Sequence, residues 1–163
     1  MLEQFAEAFY FEMSIYQIYA LFFLMGSLTV ASISDIKNTA AQKEFFHFWL
    51  VFTGVMFFVD IYPNIIEGQY FAVFSAKWII IAVFCILSSR SVGVFFGLAK
   101  MDVAAVAAIS SLFNIYSVII FFVLLKVVSL IERPLLSSDE RYPFLPVVLT
   151  SALIILLANL YFI

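Results

Sequence analysis

Two aspartates stand at the edges of apolar runs in this sequence. Asp35 closes the first run in Ser34-Asp35-Ile36-Lys37, and Asp102 opens a later one in Ala99-Lys100-Met101-Asp102-Val103. An ionisable group at membrane depth is costly unless it is paired, wetted or protonated, so each aspartate marks a candidate site. Two carboxylates brought to one membrane face can share a proton. The ionised member then deprotonates a water held between the two, while the protonated member polarises a carbonyl. That chemistry hydrolyses an amide with no nucleophilic Ser or Cys, no metal and no cofactor.

Composition sets the solvent in which such a pair would work. Of 163 residues, 66% are hydrophobic and 12% charged, and the mean hydropathy is +1.14. These values describe an all-α polytopic membrane protein whose first partner is the lipid bilayer. Twenty-one Phe and eight Tyr suit lipid-facing surfaces and interfacial belts, and Trp49 and Trp78 fall near expected helix ends. A net charge of −3 gives no footprint for nucleic acid. Glu3, Glu7 and Glu12 stand where a signal peptide carries Lys or Arg, so the first apolar run is expected to remain in the mature protein. Cys85 is the sole cysteine, in mid-run, and reads as a packing residue. His47, among Phe46, Phe48 and Trp49, reads as interfacial rather than as a metal ligand.

Apolar runs predict helices over residues 13–34, 46–62, 70–89, 98–113, 115–131 and 144–162. Fusing the fourth and fifth would carry Arg133 and Arg141 to the outer face. A break near Asn114 instead leaves Lys37, Lys43, Arg90, Lys100, Lys126, Arg133 and Arg141 on the cytoplasmic side. The expectation is therefore six spanning helices with both termini outside, in a multi-pass protein of the cell membrane. Lys77 is the exception and is expected to snorkel outward from the start of its helix. The outer face takes the acidic N-terminus, a loop over residues 60–64 with Glu67, and the C-terminal Ile163. Asp35 and Asp102 then share the cytoplasmic side. No linker divides the chain, so residues 1–163 read as one transmembrane domain. The polar segment from Glu132 to Tyr142 reads as solvated loop.

The fourth helix continues from Asp102 with Ala104, Ala108 and Ser111 on one face and Ala105 and Ala107 beside them, so another backbone can approach closely. It should be central, with Gly26, Ser32 and Ser34 as matching positions on the first helix. Asp102 lies in a first helical turn, where the macrodipole favours an anion, and Asp35 in a last turn, where it does not. On that asymmetry Asp102 is assigned as base and Asp35 as acid, within a pair that would titrate as a unit.

These residues resemble the type IV prepilin and preflagellin peptidases, a family of GxGD-type intramembrane aspartic proteases. Ser34-Asp35-Ile36-Lys37 is similar to the start of the family's first motif, and Asp102-Val103-Ala104-Ala105 to its second. Tyr142-Pro143-Phe144-Leu145-Pro146 is similar to the family's Pro-Phe-x-Pro segment before the last helix. Most of the chain is covered, and its short form is similar to the compact archaeal members. The resemblance implies an aspartic endopeptidase with Asp35 and Asp102 catalytic, cutting leader peptides from prepilin- or preflagellin-like substrate proteins at the cytoplasmic face. Such leaders carry basic residues before the cut and an apolar helix after it. The chain departs from the family at Ala99-Lys100-Met101, where the family has Gly-x-Gly or Gly-x-Ala. The nearest glycine is Gly97. An active site built on Met101 requires a helix that begins at or before that residue. Two other readings use the same carboxylates: a catalytically inactive relative serving as a membrane binding or assembly subunit, and a proton-coupled transporter.

Overall fold

The computed structural model describes residues 15–38, 43–67, 71–136 and 142–161. Among them the fold is all-α, with six helices in order: α1 (Ile15–Asn38), α2 (Lys43–Glu67), α3 (Phe71–Ser88), α4 (Lys100–Leu112), α5 (Ile115–Leu136) and α6 (Leu145–Tyr161). Three stretches are long and apolar enough to cross a membrane: Gln17–Lys37, Lys43–Tyr62 and Ile115–Leu135. Large apolar side chains such as Phe22, Phe23, Phe58 and Leu135 are exposed, as they are in chains solvated by lipid. The acidic N-terminus, the polar run 137–141 and Ile163 lie outside the described residues.

Packing groups the helices into two compact units. In the first, α1 packs on α6. The buried positions of α1 are Leu24, Leu28, Ala31, Ser32 and Asp35, one stripe at helical spacing. Those of α6 include Leu145, Val148, Ser151, Ala152 and Ile155, a matching stripe. Both stripes include small residues, Ala31 and Ser32 on α1 and Ser151 and Ala152 on α6, which allow close approach of backbones.

In the second unit α4 packs on both α2 and α3. Ala104, Ala105, Val106, Ala108, Ile109, Ser110, Ser111 and Leu112 are all buried, so α4 is the central helix that its small residues predict. Phe113, in extended conformation, ends it and gives its N–H to the Ser110 carbonyl at 3.2 Å. The chain therefore breaks at Phe113-Asn114, and α4 and α5 are separate helices. At 13 residues, α4 rises only about 20 Å, against about 30 Å of bilayer hydrocarbon.

Two expectations are corrected in this unit. The loop foreseen over residues 60–64 is helical, since α2 runs on through Pro63 to Glu67. Lys77, foreseen as snorkelling outward, is instead folded onto Asp60, with Nζ 2.6 Å from Oδ2. It also donates to the Ser111 carbonyl at 2.8 Å and lies 5.5 Å from the centre of the Trp78 ring. The Trp78 indole N–H donates to the same Asp60 oxygen at 3.2 Å. An anion with two donors does not need a solvated loop, so the turn that carries it stays helical despite the N–H that Pro63 lacks. Trp49 is also corrected: it is fully buried, stacked on Phe45 at 5.7 Å, and takes no place in an interfacial belt.

Breaking a shielded ion pair from one side leaves the other charge uncompensated. Asp60→Ala is expected to cost about 3 kcal/mol, with the double variant Asp60→Ala/Lys77→Met recovering much of that loss. Denaturant midpoints of the detergent-solubilised protein read both; a double variant no more stable than the single one would show that the pair is not what holds this end of α4.

Candidate active site

Asp35 lies in the last turn of α1 and is 9% exposed. Its Oδ2 accepts the backbone N–H of Leu145, the first residue of α6, at 3.3 Å. The first N–H groups of a helix have no partner inside it, so the carboxylate caps α6 from a helix 110 positions away in sequence. Local sequence prepares this end: Pro146 falls in the first turn, where no N–H is required, and the Phe144 carbonyl accepts the N–H of Val148 at 3.2 Å. Two of the motifs singled out in the sequence, the one around Asp35 and the Tyr142-to-Pro146 segment, thus meet within one unit.

Asp102 belongs to the other unit, in the first turn of α4 and half-buried. Its Oδ2 accepts the N–H of Ala99, the residue before the helix, at 3.2 Å. This is one half of a capping box; Ala99 has no side-chain acceptor to supply the other half. The Ala99 carbonyl takes the first helical N–H, that of Val103, at 3.1 Å. Met101 is the second residue of α4, with helical dihedrals that any L-residue adopts. The left-handed conformation is used upstream, at Gly93 (φ 66°) and Gly97 (φ 72°), where the loop from α3 turns back. The chain therefore reaches Asp102 through Gly97 and not through a glycine beside the aspartate.

These contacts remove the helix-dipole asymmetry expected between Asp35 and Asp102. Asp35 does sit at the C-terminal end of its own helix, but its oxygen rests on the N-terminus of α6. Both aspartates therefore meet the positive end of a helix, and the macrodipole no longer distinguishes acid from base.

Sequence reasoning missed Lys77, Asp60 and the Ser111 carbonyl as a cluster. The signal was present: a lone lysine inside an apolar run needs a partner, and Asp60 lies one helix earlier. It also missed Tyr142, whose phenolic oxygen is enclosed with no hydrogen-bond partner among the described residues, as is Oε2 of Glu132. Burial, and then the Glu132 charge, push the Tyr142 phenol up to about 12, with Arg133 opposing. His47 is exposed, with Nδ1 3.1 Å from the Lys43 carbonyl, an ordinary helix-surface contact.

No protein-family model matches the chain, and neither does any curated protein or solved structure.

The Tyr142 phenol holds its proton more tightly in the folded chain than its ordinary value of 10 allows. Between pH 10 and about 12 the unfolded chain loses that proton first, so stability falls as pH rises through this window. Tyr142→Phe is expected to flatten the decline. Denaturant midpoints below pH 10 and inside the window measure it; an unchanged alkaline slope would show that Tyr142 ionises freely.

Proposed function

We propose that this chain is a membrane-embedded aspartic endopeptidase of the prepilin and preflagellin peptidase kind, with Asp35 and Asp102 as its two carboxylates. The observation that carries the reading is the Asp35 carboxylate resting on the Leu145 N–H, because it joins two separate pieces of the resemblance through one specific bond. The helix order supports it as well. If all six helices cross and both termini are outside, the end of α1 and the start of α4 fall on the cytoplasmic side. The substrates are then proteins with a basic leader before an apolar helix, cut at that face.

In this reading the ionised carboxylate takes a proton from water, and the resulting hydroxide attacks the scissile carbonyl. The other carboxylic acid hydrogen-bonds the carbonyl oxygen as charge develops there. Collapse of the tetrahedral intermediate breaks the C–N bond, and the leaving amine takes up a proton from the pair.

A second reading, a relative that binds or assembles without cutting, is favoured by one observation. Asp35 is buried and already used as a helix cap, which is a sufficient structural reason for an aspartate at that position. Asn keeps the acceptor oxygen of the cap but cannot exchange a proton. Asp35→Asn and Asp102→Asn are therefore each expected to remove nearly all cleavage of a prepilin-type leader by the purified protein while leaving its thermal unfolding little changed. Wild-type protein that cuts no such leader, or a variant that keeps most of its activity, would overturn the carboxylate assignment.

Met101 supplies a further test. Since it already lies inside α4, Met101→Gly is expected to be neutral or to lower activity, by loosening the first turn at a helix cost of roughly 1 kcal/mol. Leader cleavage by this variant measures it, and a clear gain of activity would mean that Asp102 is not correctly placed in the natural chain.

A further inference from the structure

The segment between α3 and α4 is ordered by its own backbone. Arg90 N–H donates to the Leu98 carbonyl at 2.8 Å, Gly93 N–H to the Ser89 carbonyl at 2.8 Å, and Val94 N–H to the Leu87 carbonyl at 2.9 Å. Phe95 stacks on Phe84 with ring centres 5.6 Å apart. Although the loop is well tied, it turns apolar side chains outward: Val92 is 48% exposed, Val94 61% and Phe95 45%.

Beside this loop and the first turn of α4 is an open cavity of about 550 Å³. Phe46 and Leu98 contribute apolar wall, Ser89 and Ser91 hydroxyls, and Arg90 and Lys100 two cations. Both cations are exposed, and among the described residues neither has an ion-pair partner. Asp102 is nearby in sequence but does not line the cavity; its carboxylate faces the Ala99 N–H. Lys77, by contrast, is a shielded cation of this unit and is paired with Asp60.

We propose that this cavity seats the phosphate headgroup of an anionic lipid, with the Val92-to-Phe95 turn dipping into the adjoining hydrocarbon. Charge complementarity selects the anion: two adjacent cations, with no ion-pair partner among the described residues, attract a phosphodiester that neither would attract as strongly alone. The exposed apolar turn selects a lipid over a soluble phosphate, because two cations beside outward Val and Phe make an interfacial surface. The volume suits a headgroup and its glycerol. The inference depends on the chain lying in a bilayer and is independent of the peptidase reading.

The test uses the full chain in a neutral detergent, incubated with phosphatidylglycerol and phosphatidylcholine of identical acyl chains, with retained lipid read by native mass spectrometry. Phosphatidylglycerol should be retained in preference, and each of Arg90→Gln and Lys100→Gln should reduce that preference by about fivefold. The charge-conserving pair Arg90→Lys/Lys100→Arg should keep it, which separates loss of charge from loss of fold. Asp35→Asn should also keep it, so that failure here and failure of the catalytic assignment are distinguishable. Equal retention of the two lipids by the wild type, or an undiminished preference in the doubly neutralised variant, would overturn the proposal. Displacement of the lipid by millimolar inorganic phosphate alone would overturn the choice of a lipid over a free anion.

Discussion

A buried backbone N–H or C=O at a helix end must find a partner, and a chain this apolar has few polar groups to provide one. Three of its charged side chains bond to backbone groups at helix ends, the one before α4 being exposed. Asp35 accepts the first N–H of α6, Asp102 accepts the N–H that precedes α4, and Lys77 donates to the Ser111 carbonyl near the end of α4. The helix packing of each unit is built around these ties: α1 against α6 in one, and α4 against α2 and α3 in the other.

The length of α4 explains why both of its ends need such attention. A helix about 20 Å long is shorter than the hydrocarbon of a bilayer, and its packing buries most of its length among other helices. Side-chain partners meet its terminal groups at both ends: Asp102 the Ala99 N–H and Lys77 the Ser111 carbonyl. Lys77 also needs its own compensation, because a lone ammonium brought to that carbonyl would exchange one unsatisfied group for a worse one. Asp60 supplies it, and Trp78 holds the Asp60 oxygen in place. Thus the position of the Asp102 helix depends on residues that lie outside every motif in the sequence.

Period and composition made the helices legible, because an apolar run between charged flanks admits few other structures. All six expected helices are found among the described residues, including the break at Asn114, which was placed by charge asymmetry between loops. The small face of α4 correctly marked a buried helix. Pairwise chemistry across helices was less legible. Pro63 looked like a loop because the sequence does not show that Asp60 is neutralised by Lys77. Trp49 looked interfacial because aromatic position along a helix says nothing about the face that packs. Asp35 was legible as a candidate but its dipole environment was not, since the helix that it caps begins 110 positions later.

The two ends of α4 differ in charge balance as well as in position. At its C-terminal end an ammonium and a carboxylate cancel, leaving a neutral, packed plug. At its N-terminal end Asp102 answers one backbone N–H, while Arg90 and Lys100, beside an open cavity, have no ion-pair partner among the described residues. A helix whose positive end is flanked by free cations is electrostatically unfavourable in isolation, since dipole and side chains carry the same sign. Negative charge placed beside this end would offset that repulsion. Asp102 offsets part of that field, but it is a single carboxylate beside two cations and a helix N-terminus. An anion seated beside the N-terminal end of α4, as proposed above, would answer these cations and add to the field at Asp102.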